Sequence, residues 1–301
     1  MRQNTAPPVL LEGVCRDFGD VRALDDVNLE VSEGGTVGLL GPNGSGKTTL
    51  LSLISGLRTP TLGAVRLFGQ EPRDPQARIR LGVTPQQSGL AKHLSVRGLI
   101  RFVSRHFVAA DSPETVMAAF GIEHLADKRI GGLSGGQQRL LSVALAFVGQ
   151  PRLVLLDEPS TGLDINARGA LWDAIRDRAA NGVTVLLTSH YLEEVQALSD
   201  RIVMIRAGRI IADDSTAGFI TQTATTRVHV TTGDDRALQL PGIRSAHREG
   251  GVVVLEVDDA ATALQALTTT GIAYSDIDIR KPTLEAAFER LATETPRKEA
   301  S

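Results

Sequence analysis

A glycine-rich octapeptide places the strongest constraint on how this chain can fold. It follows a short apolar run at 37–40, which predicts a buried strand, and it opens a helical pattern over 47–57. Glycines allow successive backbone N–H groups to face one centre, and the start of the following helix adds its positive end. A strand, a loop and a helix in this order predict a βα unit that binds the phosphates of a nucleotide. The octapeptide consists of Gly41, Pro42, Asn43, Gly44, Ser45, Gly46, Lys47 and Thr48.

Side chains at the end of the octapeptide add a charge and a metal ligand. Lys47 supplies a point charge for the β- and γ-phosphates, and the Thr48 hydroxyl is expected to ligate Mg²⁺. Thr49, the next residue, is expected to contact the nucleotide as well. Taken alone, the octapeptide is also compatible with an ordinary glycine-rich turn before a helix, so it indicates a nucleotide and no more.

Composition limits the partners and the compartment. The chain has 301 residues, of which 42% are hydrophobic, enough for one large domain and a smaller one. A formal net charge of -3 offers no basic face, so we do not expect a nucleic-acid partner. The single cysteine, Cys15, cannot form an intrachain disulfide, which fits a reducing cytosol. Because the sequence shows neither a bilayer-spanning apolar run nor a signal peptide, we expect a cytoplasmic chain.

Alternating strand and helix patterns predict a parallel α/β sheet. Short apolar runs occur at 153–157, 183–188 and 201–206. Helical patterns at 166–180 and 190–199 lie between these runs. This alternation is typical of a parallel sheet whose helices cover its faces.

Two further segments complete the predicted first domain, over 1–218. From Val9 to Val31, short β-type runs alternate with turn residues, which predicts antiparallel strands at a sheet edge. Over about 90–150, apolar residues recur at near-helical spacing, which predicts a helical insertion. The predicted fold class is therefore α/β, with a mixed sheet, an antiparallel β subdomain and a helical subdomain.

The remaining residues, 219–301, are predicted to form a small C-terminal α+β domain. Near 217–226 the composition turns to Thr and Ala without strong periodicity, and we interpret this stretch as a linker. Beyond it the patterns run strand, short helix, two strands, helix, strand and terminal helix. That order favours a ferredoxin-like βαββαβ unit.

Two carboxylates follow the apolar run at 153–156. Asp157 and Glu158 are thereby placed at the carboxyl end of the sheet, where nucleotides bind in α/β folds. Asp157 is the candidate Mg²⁺ ligand. Glu158 points elsewhere and is the candidate general base that polarises the attacking water. The alternative is a strand capped by acidic turn residues.

A second candidate anion site precedes the apolar helical pattern at 140–148. Ser134, Gly135, Gly136 and Gln137 place a hydroxyl and bare backbone N–H groups at a helix N-terminus, where they can grip a γ-phosphate. The octapeptide at 41–48 matches the phosphate-binding P-loop. Together with the P-loop and the two carboxylates, the motif at 134–137 resembles the ABC ATPase family over about residues 9–214. The resemblance implies a P-loop NTPase of ABC type that uses ATP and Mg²⁺. It also implies that Ser134 to Gln137 bind ATP held by the P-loop of a second subunit.

Weaker matches fall in the order that the resemblance implies. Gln86, with Gln87 as a one-residue alternative, is similar to the loop glutamine that contacts Mg²⁺ or water and faces the membrane partner. His190 is similar to the switch histidine that reaches the γ-phosphate. Residues 160–164, which end in Asp164, resemble the loop that crosses to the other subunit, and Phe18 is similar to the aromatic residue that stacks on adenine. A surface glutamine, a helix cap, an ordinary turn and a core aromatic are the respective alternatives.

The C-terminal segment indicates which kind of ABC protein the chain resembles. Residues 282–291 resemble an element of ATPase subunits in the daunorubicin-resistance exporter group, although Thr283, Ala286 and Ala287 depart from its usual residues. An amphipathic terminal helix explains the same apolar positions. The resemblance implies an ATPase subunit on the cytoplasmic face of the cell membrane, bound to a membrane-spanning permease that exports a drug, lipid or polymer. It also implies pairing with a second ATPase domain, for which we expect a second copy, with a different chain as the alternative. An importer ATPase with a regulatory C-terminal domain and a soluble ABC ATPase acting on DNA or ribosomes remain alternatives.

Overall fold

A computed structural model describes residues 6–84, 89–223, 225–281 and 283–293. Gln86 and Gln87 therefore lie outside the described residues. The chain divides into two compact units, residues 1–216 and 217–301. None of the helices in the described part of the chain combines the length and apolar character needed to span a bilayer.

The first unit contains nine strands and seven helices among its described residues. The strands are β1 Val9–Phe18, β2 Val21–Val31, β3 Thr36–Leu40, β4 Leu62–Leu67, β5 Leu81–Thr84, β6 Leu153–Asp157, β7 Thr184–Thr188, β8 Arg201–Arg206 and β9 Arg209–Ser215. The helices are α1 Lys47–Ile54, α2 Pro75–Arg78, α3 Val96–Ser104, α4 Pro113–Ala119, α5 Gly135–Phe147, α6 Ile165–Ala180 and α7 Leu192–Leu198.

A six-stranded sheet in the order β5-β6-β7-β3-β8-β9 carries the candidate site. All of its pairings are parallel except β8 with β9. Every residue of β3, β6 and β7 is buried, as expected for strands covered on both faces, so the predicted parallel α/β sheet is confirmed. Since neighbouring parallel strands end at the same edge, the P-loop after β3 lies on the same side as Asp157 and Thr188, which pair across β6 and β7.

The predicted antiparallel β subdomain is confirmed, and its strands are not hydrogen-bonded into the six-stranded sheet. They form a sheet of their own in the order β2-β1-β4. The reason is that β4, a strand the sequence pattern did not reveal, pairs with β1 and completes a three-stranded layer. Alternate residues of β1 and β2, such as Val9, Leu11 and Leu29, pack into one core with α1 and the large sheet.

We propose that α3, α4 and α5 form the helical subdomain of the first unit. Serine side chains start its three helices: Ser95 caps α3, Ser112 caps α4 and Ser134 caps α5, each by accepting a hydrogen bond from a backbone N–H of the first turn. The buried side of this subdomain includes Phe120 and Phe147, whose ring centroids are 5.4 Å apart.

The second unit consists of α8 Thr216–Thr223, β10 Thr226–Thr231, β11 Ser245–Glu249, β12 Val252–Val257, α9 Ala260–Thr269, β13 Asp276–Arg280 and α10 Leu284–Thr293. Its antiparallel sheet has the order β11-β12-β10-β13, and α9 packs on one face with a 3-10 turn at Asp235–Gln239. We propose that this is a ferredoxin-like unit whose first helix is reduced to the 3-10 turn.

Most of the stretch predicted to be a linker, 217–226, is helical, because α8 extends to Thr223. Phe219 in this helix is buried, so packing of an aromatic side chain overrides a weak local pattern.

Close packing of the P-loop against β8 determines which of its glycines can be replaced by alanine with only a small loss of stability. A methyl group added at Gly41 would lie 2.1 Å from the carbonyl oxygen of Ile205, whereas one added at Gly44 would meet nothing within 4 Å. Gly41→Ala must displace backbone and is expected to cost at least about 2 kcal/mol of unfolding free energy. Gly44→Ala, with a backbone φ of 78°, should cost only about 1 kcal/mol. Thermal denaturation of both variants checks this, and equal losses would contradict the close approach.

Candidate nucleotide site

The P-loop connects β3 to α1, and its lysine side chain bonds to backbone carbonyl groups of the same loop. The Lys47 ammonium donates hydrogen bonds to the carbonyl oxygens of Gly41, at 2.7 Å, and Pro42, at 3.0 Å. Burial lowers the pKa of Lys47 below its ordinary value, while the carboxylates of Glu158 and Asp157 act in the opposite direction. The lysine therefore lies in the field of both carboxylates that the sequence singled out.

One hydroxyl of the loop is unpaired. Ser45 is buried, and its hydroxyl makes no hydrogen bond within the described residues. Because a buried polar group without a partner is costly, the loop is suited to a ligand that supplies one.

Asp157 is held at the end of β6 by the neighbouring strand. Its Oδ1 accepts a hydrogen bond of 2.5 Å from the Thr188 hydroxyl at the end of β7, and the residue is buried. No group of three or more His, Cys, Asp or Glu side chains in the described residues could hold a metal ion by itself. One carboxylate and the Thr48 hydroxyl fit Mg²⁺ that is otherwise bound by phosphate and water, the usual state of this ion in nucleotide sites.

Glu158 and His190 are brought into contact. The Glu158 Oε2 lies 3.3 Å from His190 Nδ1 and accepts a hydrogen bond from the Thr161 hydroxyl at 3.3 Å. The Glu158 backbone N–H donates to the carbonyl oxygen of Thr188 at 3.0 Å. Its φ of 53° is in the left-handed region, so the carboxylate leaves the strand in a direction different from that of Asp157.

Ser134 and Gln137 close the start of α5. The Gln137 backbone N–H donates to the Ser134 hydroxyl at 3.2 Å, and the Ser134 N–H donates to the Gln137 side chain at 3.1 Å. This capping box fixes the first turn, and it leaves Ser134 and Gly135 exposed. The helix start is therefore rigid and open to an anion from outside.

A cleft of about 390 Å³ joins the start of α5 to the end of β6. It is lined by residues that include Gly135, Gly136, Arg139, Asp157, Glu158 and Thr161. The P-loop residues 41–48 do not line this cleft.

Arg139 is a site residue that sequence reasoning missed. It lies buried in α5 and donates hydrogen bonds to the backbone carbonyl oxygens of Asp157, of Glu158 at 2.9 Å and of Pro159 at 3.2 Å. Burial lowers its pKa, and the nearby carboxylates of Asp157, Glu158 and Glu194 oppose that effect. The signal that could have revealed it is an arginine at a core-facing position of an otherwise apolar helical pattern.

The remaining predicted residues lie around this centre. Asp164 caps α6, because its carboxylate accepts from the Ala167 N–H at 2.9 Å. Phe18 ends β1 and is 37% exposed, with the guanidinium carbons of Arg16 and Arg58 at 4.6 and 4.9 Å from its ring centroid. Two cations therefore contact this partly exposed ring. Gln86 falls outside the described residues.

Known proteins show similar sequences and folds. Residues 24–161 match the family model described as ABC transporter. The chain is 33% identical to the daunorubicin resistance ATP-binding protein DrrA3 of Streptomyces coeruleorubidus, over 97% of this chain and 98% of that protein. It is 35% identical to the Nod factor export ATP-binding protein I of Cupriavidus pinatubonensis, over 93% of this chain and 89% of that protein.

Solved structures include a dimeric ATP-binding cassette in a post-hydrolysis state bound to ADP and Pi. It is 25% identical with a TM-score of 0.62, and the match covers 69% of this chain and 98% of that chain. The ATP-binding subunit of another ABC transporter is 25% identical with a TM-score of 0.65, over 71% of this chain and 92% of that chain.

Proposed function

The chain belongs to the ABC transporter family as an ATP-binding and ATP-hydrolysing subunit, and on that premise we propose that it powers export of a drug, lipid or polymer through a separate membrane-spanning partner. The observation that supports export is the length of the match. Similarity to subunits named for drug resistance and for Nod factor export runs through the C-terminal unit as well as the ATPase unit.

The site geometry supports distinct roles in ATP hydrolysis. The backbone N–H groups of residues 41–46 and the Lys47 ammonium receive the phosphates, with Thr49 adding a further contact. Thr48 and Asp157 would hold Mg²⁺, which neutralises phosphate charge when bound. Glu158 is the general base that takes a proton from the attacking water, and His190, held 3.3 Å from it, reaches toward the γ-phosphate. Phe18 stacks on the adenine, and Gln86 contacts Mg²⁺ or water.

Two copies of the chain complete each site. In this proposal Ser134, Gly135, Gly136 and Gln137 of one copy grip the γ-phosphate of ATP held by the P-loop of the other, and Asp164 lies in the loop that crosses between them. Support comes from the cleft at the start of α5, whose lining includes Gly135 and Gly136 but none of the P-loop residues 41–48. ATP then shifts the population toward the joined pair, and hydrolysis lets the two copies separate.

The membrane partner is proposed to seat on an apolar groove of the first unit, at the cytoplasmic face of the cell membrane. The groove has a volume of about 340 Å³, and its lining includes Val83, Leu90, Phe107, Leu145, Ala146 and Pro151. It lies between β5 and α5. An apolar seat of this kind suits a helix end from a second protein.

Removing the proposed base tests the chemistry. Glu158→Gln keeps the shape but cannot accept a proton, so ATP turnover should fall by about 10²-fold or more while ATP affinity stays within about threefold. Steady-state ATPase rates and nucleotide titration measure both. The matched control is Glu193→Gln, an exposed glutamate of α7, which should behave as wild type. Near-normal turnover in Glu158→Gln would contradict the assignment of Glu158 as the general base.

Isolation of the chain with its partner tests the transport role. A tagged chain, extracted from its own membranes in mild detergent, should copurify with a multi-span membrane protein in stoichiometric amount, identified by mass spectrometry. Recovery of a solute-binding protein with that complex would indicate import instead of export. Recovery of ribosomes, DNA or no partner would contradict the transporter proposal.

A further inference from the structure

The turn that follows β6 is strained at the proposed catalytic base. Glu158 has a φ of 53°, a left-handed conformation that costs a residue with a side chain about 1–2 kcal/mol. Such conformations persist only where the surrounding structure holds them. If the restraint were lost, Glu158 would relax to a negative φ and its carboxylate would move away from His190.

Contacts from two sides hold this turn. On one side the Glu158 N–H donates to Thr188 in β7. On the other side the Arg139 guanidinium donates to three successive carbonyl oxygens, those of Asp157, Glu158 and Pro159. Three carbonyl groups can converge on one cation only if the backbone turns sharply between them, so Arg139 favours the conformation that Glu158 adopts.

Arg139 also belongs to the helix that starts at the second anion site. It lies little more than one turn after Ser134, in a helix whose start is fixed by the capping box. Arg139, Gly135, Gly136 and Glu158 line the same cleft. A small displacement of the helix start is therefore transmitted directly to the backbone that carries the base.

We propose that Arg139 is a positioning residue, which couples binding of a phosphate group at the start of α5 to the placement of Glu158 in the same chain. The proposal rests on the ATPase function and on the two-copy arrangement given above. It assigns a direction of communication: ATP held by one copy sets the catalytic base of the other copy, through Ser134, α5 and Arg139. The two nucleotide sites of the pair are thereby coupled.

Chemistry explains why arginine is suited to this position. Its planar guanidinium presents five N–H donors in a fixed fork, so it can satisfy several carbonyl groups at once. Lysine retains the charge but places it at a single point. Arg139→Lys therefore separates charge from geometry, and Arg139→Gln removes the charge while keeping amide donors.

The control for loss of a buried arginine contact is Arg178→Lys. Arg178 lies in the last turn of α6 and pairs with Asp111 at 2.9 Å, and both side chains are largely buried. Its loss should lower thermal stability without touching the cleft. Comparison of Tm values identifies how much of any effect at Arg139 is general destabilisation.

The first measurement is hydrogen–deuterium exchange of the full chain, followed by mass spectrometry of peptides covering 157–163. In wild type, MgATP should slow exchange in this segment. In Arg139→Lys and Arg139→Gln the segment should exchange faster without nucleotide, and the slowing by MgATP should be lost, while peptides covering the P-loop remain protected by MgATP. Arg178→Lys should match wild type. Unchanged exchange over 157–163 in folded Arg139 variants would overturn the proposal.

The second measurement is ATPase kinetics on the same proteins. Misplacement of the base should reduce kcat by about 10- to 100-fold in Arg139→Lys, with KM for ATP within about twofold. Any dependence on ATP concentration steeper than hyperbolic in wild type should become hyperbolic in the variant. A kcat that falls no further than in Arg178→Lys would contradict a positioning role. If wild type itself hydrolyses no ATP, the proposed function fails, and the exchange experiment still decides whether Arg139 holds the turn.

Discussion

The hydrogen bond between the Thr188 hydroxyl and the Asp157 carboxylate joins the ends of two neighbouring parallel strands, and the polar groups of the site are arranged around it. Because β6, β7 and β3 are adjacent and parallel, the two carboxylates and the P-loop are presented at one edge of the sheet. The next backbone group along, the N–H of Glu158, also bonds to Thr188. This strand end thus fixes both the candidate metal ligand and the candidate base.

Electrostatics then divides the site into cationic and anionic parts. Lys47 and Arg139 both carry positive charge into partly buried positions, and both lie near the carboxylates of Asp157 and Glu158. Buried charges of one sign are costly without partners, so the two cations and the two carboxylates stabilise one another. A nucleoside triphosphate adds negative charge. The Lys47 ammonium, which bonds to two carbonyl oxygens of its own loop, can then exchange these bonds for bonds to phosphate.

Sequence patterns predicted the parts of the molecule that depend on local signals. The P-loop glycines, the apolar β6 that ends in Asp157, and the Ser134 cap are each written in consecutive residues, and the structure contains the corresponding loop, strand end and helix start. Long-range pairing was not visible in this way. The separate β2-β1-β4 sheet depends on β4, whose short run contains Gly63 and Arg66, and the helix α8 depends on burial of Phe219. Arg139 contacts a turn about 20 residues away in sequence, so only the fold reveals its role.

We propose that the start of α5 binds the nucleotide of a second copy. In chains whose base is blocked by Glu158→Gln, adding Ser134→Asp keeps a good helix cap but places a negative charge against the phosphate. We predict that this double variant binds ATP as tightly as Glu158→Gln alone, yet does not form the ATP-dependent dimer that Glu158→Gln forms, as measured by sedimentation with and without MgATP. A loss of ATP binding by the monomer would place Ser134 against the nucleotide of its own chain and contradict this assignment.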